Sequence, residues 1–159
     1  MNPRLEMTDP TTAVNPAGFE PNIAAVQARH ACLDVIDAFF RRVDTGNAAR
    51  TVDLFTSDGE LVLGQTSLSG ESLAKAMEVR QNDSDKRGHH VPATSSFRLI
   101  SDREAEAQTY LHLYRDAEQQ PDKPPVARAL TLLTDRFVRG DDGRWRIARR
   151  QVDIIAGGE

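Results

Sequence analysis

The sequence holds one cysteine, Cys32, so no disulfide can form within the chain. Set among apolar residues of helical spacing, it reads as a small buried hydrophobe, not a nucleophile. No apolar run approaches the ~20 residues needed to cross a bilayer. The N-terminus also lacks the apolar stretch of a secretory signal. A cytoplasmic protein without a membrane partner is therefore expected. Glycine-rich phosphate loops and nucleotide fingerprints are missing, as is any convergent set of metal ligands at defined spacing. Neither a cofactor nor a metal is expected. An excess of base is missing too: Lys and Arg number 20 against 24 Asp and Glu, a net charge of -4. That balance argues against a nucleic-acid partner. Arginines do gather at Arg144, Arg146, Arg149 and Arg150. In a strand the first two and the last would share one face, read here as a solvated face.

What is present suits one globular domain. The 159 residues are 39% hydrophobic and 28% charged, long enough for a real core. Residues 1–21 carry four of the eight prolines and no apolar periodicity. They read as a flexible tail, with the folded domain spanning 22–159. Asn22 is a good N-cap, and Ile23, Val26, His30, Leu33, Ile36, Phe40 and Val43 then recur every three or four residues. This predicts a long amphipathic helix ended by Gly46. A short helix capped by Asn47 follows, then a strand over 60–63 and a third helix, capped by Ser69, over 71–81.

The second half reads as strands over 90–100, 104–114, 127–139 and 144–155, with a hairpin turn at Gly140-Asp141-Asp142-Gly143. In the 104–114 strand, alternation puts Ala105, Ala107, Thr109, Leu111 and Leu113 on one face and Tyr110, His112 and Tyr114 on the other. Helices first and hairpin-linked strands later predict an α+β fold with an antiparallel sheet. Wrapped as a cone over the long helix and two shorter ones, such a sheet would enclose a cavity.

Four stretches in order carry a resemblance: Phe39-Phe40-Arg41-Arg42-Val43-Asp44-Thr45-Gly46, Leu54-Phe55-Thr56-Ser57-Asp58-Gly59, Gly88-His89-His90-Val91, and Thr134 to Arg139 followed by Asp142 to Ile147. Across about residues 23–155 the chain resembles the SnoaL-like branch of the nuclear-transport-factor-2-like superfamily. That resemblance implies the cone-shaped fold. It is poorly specific for activity, since the same cone hosts dehydratases, isomerases, cyclases, dehydrochlorinases and proteins without catalysis. In the similar dehydratases and dehydrochlorinases an Asp ending the first helix pairs with a His opening the middle strand. Those positions are Asp44 and His90 here. Scytalone dehydratase has a second His at a strand position like that of His112, and bile-acid dehydratases an acidic residue near it; Asp116 follows the strand here. Two departures stand out. Phe39 and Phe40 occupy the region where those dehydratases place a tyrosine, and the ketosteroid isomerase pattern has no counterpart.

The chemistry supports the pair independently. A carboxylate at a helix C-terminus meets the negative end of the dipole, at a cost of ~0.3–1 kcal/mol. A histidine donating to Asp44 would compensate, and Asp44 would fix the ring tautomer, leaving the other nitrogen as a general base. The alternative for Asp44 is an Asx-type turn in Asp-Thr-Gly. Adjacent strand positions send His89 and His90 to opposite faces. If Tyr110, His112 and Tyr114 face the cavity, His112 supplies a proton donor and Phe40, Tyr110 and Tyr114 contact ligand. If they face outward, they are surface or dimer-interface residues. His30 reads as a hydrogen-bonded histidine at the core margin. The resulting expectation is a homodimeric protein that binds a small apolar organic molecule. It is either a cofactor-free enzyme catalysing dehydration, isomerisation or cyclisation, or a binding or scaffold protein of the same fold.

Overall fold

The computed structural model describes residues 22–83, 88–115 and 122–158. The expected tail at 1–21 and Asp116 lie outside the described residues. Helix α1 spans Ile23–Asp44, and the Asn22 side chain accepts from the Ala25 N–H at 3.1 Å, as its capping role requires. A 3-10 segment (Ala48–Leu54) leads into β1 (Phe55–Leu63), β2 (Thr66–Ser69) and α2 (Gly70–Asn82). The remaining strands are β3 (Gly88–Leu99), β4 (Glu104–Arg115), β5 (Val126–Arg139) and β6 (Trp145–Gly157).

The six strands form one sheet in the order β2-β1-β6-β5-β4-β3. Every neighbouring pair is antiparallel except β1 with β6, which are parallel. Those two strands come from opposite ends of the domain and share no hairpin, so no tight turn forces them antiparallel. The sheet is open, with β2 and β3 at its edges. Two strands separate β3 from β6, yet both contact α1, so the sheet curls around the helix. The 140–143 hairpin forms as expected. Gly143 takes φ +77°, and Arg146 grips Asp142 through two contacts of 3.0 and 2.6 Å. That grip and the Arg144 N–H hold the Asp142 carboxyl well below the usual carboxylate range.

The buried stripe of α1 is rotated from the expected one. Ala28, Cys32, Ile36, Phe39, Phe40 and Val43 are buried, whereas Ile23 and Val26 are more than half exposed. His30 is also out in solvent, beside Asp34 at 3.6 Å, and not at the core margin. The side turned to the sheet begins with small residues, Ala28 and Cys32, which a search for large apolar side chains passes over. Strand β2 carries no clear sequence signal, because Leu68 is the one apolar residue in Thr66–Ser69.

Strand β6 contains the feature that most affects the cavity. Trp145 and Ile147 face the core, but the register slips between Ile147 and Arg149, where Ala148 has no partner on β5. This bulge reverses the alternation. Arg150 and Val152 thereby turn inward, and Arg146 and Arg149 stay outward. The expected shared solvated face of Arg144, Arg146 and Arg150 is therefore corrected. Arg150 is fully buried, and Arg144 precedes the strand.

Burial, aided by the charge of Asp135, pushes the Cys32 thiol up to about 12 from its ordinary 9.0. The folded protein should thus resist thiol reagents until it opens. Because the unfolded chain releases this proton near its ordinary value while the folded one holds it, stability should fall as pH rises from about 9 towards 12. Urea melts across that range should show a shallower decline in Cys32→Ala; equal slopes would contradict the assignment.

Candidate active site

The concave side of the sheet and α1 enclose a cavity of about 440 Å³. Its wall is mostly aliphatic and aromatic: Phe39, Phe40 and Val43 from α1, Leu61 from β1, Leu111 and Leu113 from β4, and Leu133 from β5. Arg80, His90, Arg115 and Arg150 also line it, and among the described residues no carboxylate does. An apolar cavity of this size with a few polar groups suits a small organic ligand.

His90 enters the cavity wall from the start of β3. Its ring Nδ1 lies 2.6 Å from Asp44 Oδ1, and its backbone N–H donates to Asp44 Oδ2 at 2.8 Å. An ionised carboxylate only accepts, so the contact puts a ring proton on Nδ1, and in the neutral ring Nε2 is the nitrogen that keeps its lone pair. Both side chains are mostly buried, 16% exposed each. Phe40 stacks on the imidazole, with ring centres 5.1 Å apart and planes inclined by 24°. The ring is therefore fixed by a carboxylate, by its own backbone and by an aromatic face. Asp44 lies behind it on a shallower outer cleft shared with Asp37 and Arg41.

The alternative role for Asp44, closing the Asp-Thr-Gly turn, falls to other groups. Thr45 donates from its N–H and its hydroxyl to the Arg41 carbonyl, at 3.1 and 2.7 Å. Asn47 donates to the Arg42 carbonyl from its backbone and to Thr45 from its side chain. Gly46 supplies the left-handed turn at φ +77°. Both Asp44 oxygens are directed to His90.

The structure does not bring the β4 residues to this site. Leu111 and Leu113 line the cavity, so alternation turns Tyr110, His112 and Tyr114 to the outer face of the sheet. His112 stacks there on Tyr114, with ring centres 6.3 Å apart, and Tyr110 is 38% exposed. The expected proton donor at His112 and ligand contacts at Tyr110 and Tyr114 are thus corrected by the pleat of β4. Of the expected ligand contacts, Phe40 lines the cavity. Among the described residues no cluster of His, Cys, Asp and Glu could hold a metal.

Sequence reasoning missed Arg150. Its Nε and Nη2 bind Asp135 Oδ1 and Oδ2 at 2.7 and 2.8 Å, and both side chains are fully buried. The guanidinium carbon lies 4.5 Å from the Phe39 ring centre and 5.2 Å from that of Phe40. Only the acidic residue opposite it in β5 and the bulge before it could have signalled an inward arginine.

The SnoaL-like domain family matches residues 24–151, and the chain belongs to that family. Solved structures with the same fold include "Putative Scytalone Dehydratase" from Novosphingobium aromaticivorans, 15% identical, with TM-score 0.73 over 87% of this chain and 91% of that one. ActVI-ORFA from Streptomyces coelicolor is 20% identical, with TM-score 0.70 over 81% and 98%. A Catenulispora acidiphila protein in complex with S-DNPA is 18% identical, with TM-score 0.67 over 81% and 94%. At these identities the likeness is one of fold. Comparison with curated proteins finds no match. No helix among the described residues is long and apolar enough to cross a membrane.

The buried pair sets a stability prediction. Arg150→Met strands an ionised Asp135 in the core and should cost about 3–5 kcal/mol in urea unfolding. Replacing both partners, as Arg150→Met with Asp135→Leu, should recover most of that loss, because no charge remains buried. A double variant no more stable than the single one would show that the pair is not the source of the cost.

Proposed function

We propose that this SnoaL-like protein is a cofactor-independent lyase or isomerase of a small apolar molecule, with His90 as its general base and Asp44 as the residue that orients it. The observation that carries the reading is the forked contact of Asp44 with the ring and the backbone of His90, placed in the wall of an apolar cavity. A neutral imidazole with its proton held on Nδ1 can take a proton from carbon through Nε2. The developing positive charge on the ring then faces the Asp44 carboxylate, which stabilises it. Low polarity around the base limits competition from water for the transferred proton. Phe40 shapes the pocket and holds the ring but can neither donate nor accept a proton.

The runner-up reading is a binding protein with the same cavity and no turnover. The outward placement of His112 and the tyrosines favours it to one extent: among the described residues no phenol or second imidazole lines the cavity as an acid. In the enzymatic reading, protonated His90 must itself return the proton, either to another carbon or to a departing hydroxyl.

A substrate-independent probe separates the two. In 5-nitrobenzisoxazole, removal of the ring C–H proton breaks the N–O bond and releases a coloured phenolate, with no other reagent needed. The wild-type protein is expected to accelerate this opening, and His90→Ala and Asp44→Asn to lose on the order of 10²-fold or more of the acceleration while staying folded. An asparagine oxygen can still accept from the His90 backbone N–H, but its NH2 facing Nδ1 can only donate, which moves the ring proton to Nε2 and removes the free base there. If wild-type protein binds the probe and opens it no faster than the variants, His90 is not a base and the binding reading stands.

A further inference from the structure

The arginines around the cavity are not equivalent. The Arg150 side chain is fully buried and its charge is met by Asp135, so it offers no surface to an occupant. Arg80 and Arg115 stand instead where the cavity opens. Strands β1, β4 and β6 run in the same direction, so their last residues lie along one edge of the sheet. The lining residues at that edge are exposed, Leu63 by 44%, Ile154 by 63%, and Gly158 with them. Arg115 is the last residue of β4. Arg80 belongs to the last turn of α2, one turn beyond Met77, which also lines the cavity. The Gln81 side chain next to it accepts from the Ala49 N–H at 3.1 Å, which ties the end of α2 to the chain just past α1.

The sheet makes a place for Arg115. Alternation along β4 turns it to the same side as Leu111 and Leu113. Its partner across β3 is Gly88, and position 88 shares the cavity face with His90, two residues on. A β-carbon on Gly88 would lie 3.0 Å from Arg115 Nη1 and 3.2 Å from its Cδ, closer than ordinary contact. The guanidinium thus takes the space that a side chain at 88 would fill, about 7 Å along β3 from His90. Both arginines have other contacts as well, but five N–H donors on each guanidinium allow a ligand to share them. Among the described residues no carboxylate lines the wall with them. The mouth therefore favours an anionic group and the depth an apolar one.

We infer that Arg115, with Arg80 at the same mouth, is the specificity-determining clasp of this cavity, and that the ligand is a small apolar carboxylic acid bound as its carboxylate. The acid group stays at the partly hydrated opening, where its desolvation costs least. The apolar body then points inward past His90, between Phe40, Leu111 and Leu133. The clasp sets which end of the ligand enters first, and hence which carbon reaches the imidazole. The inference rests on the cavity being a ligand site and names the chemical class it takes.

Binding of 2-naphthoate and its isosteric neutral amide, 2-naphthamide, at about pH 8 tests this, because the acid is then ionised and the amide is not. Wild-type protein should prefer the naphthoate by about tenfold or more, the scale of a charge-assisted hydrogen bond. Arg115→Gln keeps a polar side chain of similar reach without the charge and should remove most of the preference. Arg80→Gln with Arg115→Gln should bring the two probes to within about twofold of each other. Affinity for 2-naphthamide should hold in both variants, which shows the cavity intact. No preference in the wild type would overturn the proposal. So would a preference that survives in the double variant, or an equal loss of both probes, which would leave the arginines a structural role alone. An Arg115-dependent preference with silent His90 and Asp44 variants in proton abstraction leaves the clasp standing and removes only the base; the converse pattern removes only the clasp.

Discussion

One carboxylate joins the two halves of the molecule. Asp44 stands at the last turn of α1, where the helix dipole disfavours a negative charge by ~0.3–1 kcal/mol, and Arg41 and Arg42 in the same turn offset part of that cost. Its oxygens are spent on β3, one on the backbone N–H of His90 and one on the ring. The same contact therefore sets how the helix end meets the strand and which nitrogen of the imidazole is free. A group that helped only the helix would be better placed at its other end. Its position makes sense as a bridge.

The aromatic residues beside it extend this constraint into the cavity. Phe40 touches both His90 and the Arg150 guanidinium, while Phe39 meets Phe40 edge-on at 5.1 Å and also lies against Arg150. Both phenylalanines lie in the region where, by the resemblance, the similar dehydratases carry a tyrosine. A phenol there could donate a proton; a phenyl ring instead offers a face to a cation and a flat wall to a ligand. Polar capacity is shifted from the helix to β6, where a bulge delivers a guanidinium that no regular strand would have turned inward. Among its described residues, the resulting cavity wall carries basic side chains and no acidic ones.

Much of this is legible from residue order. Asn22 and Gly46 bracket α1 closely, the Gly140–Gly143 turn appears as read, and Asp44 and His90 meet. These features depend on local chemistry or on short motifs. The features that escape depend on counting. Period-two alternation assigns faces correctly along β4, so the placement of Tyr110, His112 and Tyr114 hinges only on which face is inner, a question that the leucines answer. In β6 the same rule fails at Ala148, because one unpaired residue exchanges the faces of everything after it. The burial of α1 misleads for a related reason: Ala28 and Cys32 face the core as small residues, while the larger Ile23 and Val26 face away. Side-chain volume is a poor proxy for direction.

Where the proton of the His90 ring resides decides the chemistry of the site, and long-range proton–nitrogen NMR of the imidazole reports it directly. In its neutral form the wild-type ring is expected to show Nδ1 protonated and Nε2 with the shift of a bare imine nitrogen, since Asp44 can only accept. A ring protonated on Nε2, with Nδ1 bare, would contradict the account, because a contact between two acceptors could not orient a base.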